Sequence, residues 1–157
     1  MSKKNKNTKL NLKELPSGPL NFHTYLSDVE GCGTIRTIIP SLLLNSWRTN
    51  HNNARATYSQ NYVRDLNYYK NLSFVIFQRA ATEANFNIVK DFCNNFKKNS
   101  NTGMIYEIDD LLKDIPEWNF ASAYYKEYWP FIERCMMMAD GMVVSTPKLK
   151  EVYKEYN

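Results

Sequence analysis

The chain has 157 residues, a hydrophobic fraction of 43% and an aromatic fraction of 14%. That length and apolar content support one folded domain with a real core and exclude a disordered, collagen-like or linker-like chain. The net charge is +4, and much of the excess lies at the start, where Lys3, Lys4, Lys6, Lys9 and Lys13 face the single acid Glu14. Cys32, Cys93 and Cys135 are odd in number, widely spaced and without a CxxC pair, which excludes a disulfide framework and a zinc site and points to a reducing, cytoplasmic compartment. The N-terminus has charges without an apolar core, and no run reaches membrane-spanning length, so neither a signal peptide nor a membrane partner is expected.

Residues 1–17 read as a disordered basic tail, solvated or holding an anionic partner such as nucleic acid. Pro16, Gly18 and Pro19 mark the boundary to a folded domain over residues 18–157. LNFHTYL, residues 20–26, is a short strand carrying His23, a histidine that is either a satisfied core or rim residue or part of a ligand site. Residues 27–33, SDVEGCG, form a loop, and a helix follows over 34–47 on the spacing of Ile35, Ile38, Ile39, Leu42 and Leu43. Thr34 is the expected cap of that helix and Pro40 its expected break or kink. Gly31 and Gly33 would let a ligand approach the helix start, where bare amides attract phosphate, and Arg36 in the first turn would meet its charge. The motif is GxG without a third glycine, a weak signal alone.

A polar stretch over 45–61 holds a short strand at 54–59, and the aromatic segment 62–70 is ambiguous. LSFVIF, residues 72–77, is a continuous β-branched and aromatic run, a buried strand ending in Gln78 and Arg79. Arg79 at a strand's carboxyl end is placed to clamp a phosphate or carboxylate. Residues 82–98 are an amphipathic helix with Phe86, Val89, Phe92, Cys93 and Phe96 on one face.

The central stretch is residues 103–112, GMIYEIDDLL, a buried strand that ends in Asp109 and Asp110, with Glu107 two residues earlier. Ligands of open parallel sheets bind beyond the carboxyl ends of the strands, so acids there are placed for chemistry. Residues 111–119 form a loop over those ends, 122–139 a long helix perturbed by Pro130, and 140–145 a last strand. Thr146 then caps a terminal helix that has Pro147 at its first position. The order β-α-β-β-α-β-α-β-α implies an α/β fold: an open, mainly parallel, Rossmann-like sheet with helices on both faces.

Four segments, FHTYLSDVEGCGTIR, VIFQR, MIYEIDDLL and ERCMMMADGMVVSTPKLKEVY, together resemble the N-terminal domain of GT-B-type glycosyltransferases, close to the glycosyltransferase-4-like group of bacteria and phages. The resemblance implies one half of a GT-B fold without the second, donor-binding domain, and a hexosyl transfer from a nucleotide-sugar to a carbohydrate or other hydroxyl acceptor. It implies Asp109 and Asp110 as catalytic and Gly31 and Gly33 at the donor phosphate; their places in the predicted elements add Thr34 and Arg36 at the donor phosphate and Glu107, Arg79 and His23 at the acceptor. Relatives commonly carry a His-Asp pair where this chain has Asp109-Asp110. No cofactor or metal is implied beyond the nucleotide-sugar substrate, though Glu107 and Asp109 keep the alternate spacing of a metal-binding DxD pair. A second-domain chain is an implied partner. The alternative is a non-catalytic Rossmann-like binding or interaction module, for which the tyrosine-rich segments would supply contact area.

Overall fold

The computed structural model describes residues 20–46 and 54–157. The basic tail, and Trp47 at the expected end of the first helix, lie outside the described residues.

The sheet has five strands: β1 (Asn21–Tyr25), β2 (Arg55–Ser59), β3 (Phe74–Gln78), β4 (Gly103–Ile108) and β5 (Gly141–Val144). Their order is β2-β1-β3-β4-β5, and every neighbouring pair is parallel. The α/β reading therefore holds, and the sheet is parallel throughout. Every crossover carries a helical segment: α1 (residues 31–46), α2 (Leu66–Lys70), α3 (residues 83–100), α4 (Ser122–Met138) and, after β5, α5 (residues 147–156). The helix α2 is the element the sequence pattern left ambiguous. Asp65 caps it by accepting from the Asn67 amide at 2.8 Å.

Chain reversal in this strand order puts α1 on one face and the later helices on the other. Val75, Phe77, Met104, Tyr106 and Ile108 point to the second face and pack with Phe86, Val89 and Phe92 of α3, Ile132 and Met136 of α4, and Tyr153 of α5. The opposite parity, Phe22, Thr24, Ile76, Glu107 and Val143, faces α1. Because strand side chains alternate, Glu107 and Asp109 fall on the α1 face while Ile108 between them fills the core.

Three local expectations are corrected. The first helix starts at Gly31, three residues early, because Asp28 caps it: its Oδ1 accepts from the Glu30 and Gly33 amides, both at 3.0 Å. Thr34 is not the cap; its hydroxyl donates to the Val29 carbonyl at 2.8 Å. Pro40 does not break α1, although the helix is locally perturbed before it. The turn before it, Thr34–Ile38, widens so that the Ile39 amide reaches the Thr34 carbonyl, and a regular helix follows over Ile39–Ser46. A proline cannot donate to the carbonyl four residues back, and a widened turn accommodates that missing bond.

Thr146 caps as the sequence implies, accepting from Leu149 at 3.2 Å, while Thr82, expected as the first helical residue, is instead the cap and accepts from Asn85 at 3.2 Å. Helix α3 ends at Asn101, whose φ of 57° is the left-handed stop that asparagine tolerates. Helix α4 runs through Pro130.

Candidate functional site

The carboxyl ends of β1, β3 and β4 converge on one rim, at the point where the strand order reverses. Two arginines organise it. Arg36, on α1, forms an ion pair with Glu107 through Nε and Nη2, and its Nε lies 3.9 Å from Asp109 Oδ2. Arg79, just past β3, reaches Asp28 Oδ2 at 3.2 Å and Asp110 Oδ2 at 3.1 Å, with Asp109 Oδ1 at 3.9 Å. The two guanidinium groups thus thread between four carboxylates, and the cluster carries more negative than positive charge.

Arg79 has φ of 41°, in the left-handed region that a side chain enters at a cost. Its amide donates to the Glu107 carbonyl at 2.8 Å, continuing the β3–β4 ladder by one bond. That bond and the two ion pairs hold the residue in its strained conformation and aim its side chain across the rim.

The acidic segment after β4 is fastened from behind by α5. The Tyr153 hydroxyl donates to the Asp110 carbonyl and accepts from the Leu112 amide, both at 2.9 Å. Ser145, following β5, donates to the Asp109 carbonyl at 2.8 Å. The strand-end segment is therefore positioned by a buried tyrosine 43 residues away in sequence.

Two rim oxygens have no hydrogen-bond partner: Glu107 Oε2 and Asp109 Oδ1. Glu107 is only 7% exposed. Burial raises its pKa, and the positive charge of Arg36 pulls in the other direction without cancelling the effect. The Gln78 side chain stands close enough to favour the ionised form without closing a bond on Oε2. Burial would also raise Asp28, but the amides of Gly33 and Glu30 and the Ser27 hydroxyl outweigh it and hold Asp28 below the usual range. The Cys32 thiol is pushed up, first by the Asp109 carboxylate beside it and then by burial, which makes it a poor nucleophile.

The rim gathers most of the residues singled out from sequence: Gly31, Gly33, Thr34 and Arg36 from the start of α1, Arg79 from β3, and Glu107, Asp109 and Asp110 from β4. Gly31 and Gly33 are not a loop but the first turn of α1, and neither has positive φ. The Gly33 amide and the Arg36 guanidinium are both already engaged by carboxylates of this chain.

His23 stands apart. Its side chain lies on the other face of the sheet, with Nδ1 2.8 Å from both the Thr57 and Tyr68 hydroxyls and Nε2 3.1 Å from the Ser59 hydroxyl. Burial lowers its pKa to about 4, so it is neutral at pH 7.

Sequence reasoning missed Asp28 and the positioning role of Tyr153. Asp28 was visible as a helix-capping residue type five positions before Gly33; Tyr153 left no local signal. Tyr125, on α4, also faces this charge cluster: its hydroxyl is raised by burial and tempered by Arg79.

Beyond the rim, the loop between β4 and α4 leaves Trp118 85% and Phe120 100% exposed. Among the described residues no group of three or more His, Cys, Asp or Glu side chains is arranged so that it could hold a metal ion, and no helix is long and apolar enough to cross a membrane. The chain matches no protein-family model, no curated protein and no solved structure.

Proposed function

We propose that this chain is the acceptor-side domain of a GT-B-type glycosyltransferase, which holds a hydroxyl acceptor at the rim while a sugar is transferred from a nucleotide-activated donor. The observation that carries the reading is the state of Asp109. Its carboxylate sits at the carboxyl end of β4, between two arginines, with Oδ1 buried and free of hydrogen bonds. An acceptor hydroxyl donating to that oxygen would satisfy it and be oriented, with partial removal of its proton as the new glycosidic bond forms. Arg79, Asp110 and Glu107 supply further donors and acceptors for neighbouring hydroxyls. His23, with both ring nitrogens engaged on the other face of the sheet, has no role in the transfer.

Charge balance favours a donor held elsewhere. A diphosphate at Gly31, Gly33 and Thr34 would meet the Asp28 carboxylate already on the Gly33 amide, and Arg36 is spoken for by Glu107. In this proposal the diphosphate is held by a second-domain chain, and Arg36 meets it only in the assembled enzyme. The chemistry requires no cofactor beyond the nucleotide-sugar. The competing reading, an interaction module without catalysis, draws on Trp118 and Phe120, whose exposure suits a partner's surface.

Saturation-transfer NMR on the full chain tests the proposal, with a panel of mono- and disaccharides and with UDP as probes. A saccharide response that Asp109→Asn removes is expected, with UDP weak or silent. Absence of any saccharide response, or a response unchanged in Asp109→Asn, would overturn it.

A further inference from the structure

The α1 face of the sheet carries a groove of about 640 Å³ between α1 and the strands. Its walls are chiefly apolar, with Phe22, Ile76, Leu44 and Val143 contributing, and Thr24 and Ser41 add hydroxyls. Val143, on the edge strand, is 44% exposed there, so the groove is open on the β5 side. The end nearest the rim is closed by Arg36 and Glu107.

That closed end is electrostatically incomplete. Glu107 lines the groove, is nine-tenths buried, and keeps Oε2 without a partner. Asp109 Oδ1, on the same strand face two residues on, also accepts no hydrogen bond and has only the Arg79 guanidinium, 3.9 Å away, to balance it. Arg36 pairs with the other oxygen of Glu107 and approaches the other oxygen of Asp109. Its side chain is 25% exposed, so turning outward is a rotamer change with a path to solvent. Leaving a buried carboxylate oxygen unpaired is unfavourable, and a group with several donors placed beside it relieves that cost.

We infer that this groove binds an apolar molecule carrying a primary amine, its hydrocarbon body along Phe22, Ile76 and Val143 and its ammonium head between Glu107 and Asp109 in place of Arg36. An ammonium is compact and offers three donors, enough for both of these oxygens and one more acceptor. The excess of carboxylates over arginines at the rim selects a cation and repels a carboxylate of the same chain length. This inference does not depend on the transferase reading, and its test involves no sugar and no nucleotide.

Isothermal titration of the full chain at pH 7 with octylamine, octan-1-ol and octanoate separates head from body, since the three share one hydrocarbon chain. Octylamine should bind about tenfold tighter than octan-1-ol, the size expected of charge-assisted hydrogen bonds, and octanoate should not bind measurably. Arg36→Gln removes the internal cation and should raise octylamine affinity about fivefold or more, in line with a competing charge-assisted bond. Glu107→Gln should erase the preference for amine over alcohol. Equal binding of amine and alcohol, tighter binding of octanoate, or no octylamine binding by the full chain would overturn the inference. If Arg36→Gln does not fold, the Glu107→Gln comparison decides it, with folding of that variant checked by circular dichroism.

Discussion

Asp28 meets Gly33 twice: its carboxylate accepts the Gly33 amide at 3.0 Å, and its main-chain carbonyl occupies the space where a Cβ on Gly33 would stand. The neighbouring glycine differs, since a Cβ on Gly31 would meet nothing within 4 Å. Neither glycine has a positive φ, so close approach alone distinguishes them. Gly33→Ala should therefore destabilise the chain by about 3 kcal/mol, the scale of a backbone displacement in a packed region. Gly31→Ala should change stability by no more than about 1 kcal/mol, in either direction. Urea denaturation of the two variants checks this, and equal losses at both positions would contradict it.

The strained backbone of Arg79 allows its side chain and its conformation to be tested separately. Arg79→Ala removes the ion pairs to Asp28 and Asp110 and keeps a Cβ at φ 41°. Arg79→Gly removes the same pairs and relieves the strain. The glycine variant should be the more stable of the two by about 1 kcal/mol, the usual cost of holding a Cβ in left-handed backbone. Thermal unfolding of the pair measures that difference, and an alanine variant equal to or above the glycine variant would show that position 79 carries no strain.

Much of the fold could be read from the chain because its signals are local. The runs FVIF and MIYEI are continuous and β-branched or aromatic, and they became β3 and β4. Thr146 stands where a capping threonine should, and it caps. The helix start at Gly31 was hidden because its cap, Asp28, lies outside the helix and acts across a turn. Proline at position 40 looked like a break because composition does not reveal that the preceding turn can widen. Glu107, Asp109 and Asp110 were recognised as a strand-end cluster from spacing alone. Their arginine partners, and the Tyr153 hydroxyl that fixes their backbone, depend on contacts between distant parts of the chain, which no local pattern encodes.

A second carboxylate serves structure rather than the rim. Asp140, just before β5, has its side chain fully buried; Oδ1 takes the Lys97 ammonium at 2.6 Å and Oδ2 takes the Met104 amide at 2.8 Å. It joins α3 to the start of β4. Asp140→Ala would strand an ammonium that is 15% exposed and a buried amide together, and removal of one partner of a buried pair costs about 3–5 kcal/mol. Lys97→Met should cost less, because the Asp140 carboxylate keeps the Met104 amide and methionine fills the space. Chemical denaturation of the two variants tests the order; a larger loss in Lys97→Met would contradict it.

The buried His23 gives the fold a definite acid sensitivity. Its pKa falls from 6.5 in a free chain to about 4 in the folded one, because burial among hydroxyls disfavours the charged ring. Between those values the unfolded chain binds the proton and the folded chain does not, so stability rises with pH. The contribution is fully present above pH 6.5 and is lost as pH falls toward 4. Its full size is on the order of 3 kcal/mol, since each pH unit separating the two values is worth about 1.4 kcal/mol. Other groups add slopes of their own, Asp28 losing stability in acid and Glu107 gaining it, so the measurement must be a difference. Wild type and His23→Gln are unfolded in urea from about pH 7.5 to 4.5, a window that spans most of the titration, and the wild-type stability is expected to fall more steeply through it. Glutamine carries a donor and an acceptor for the same hydroxyls but no titrating ring. Parallel curves for the two proteins would mean that His23 takes up its proton in the folded chain as readily as in the unfolded one.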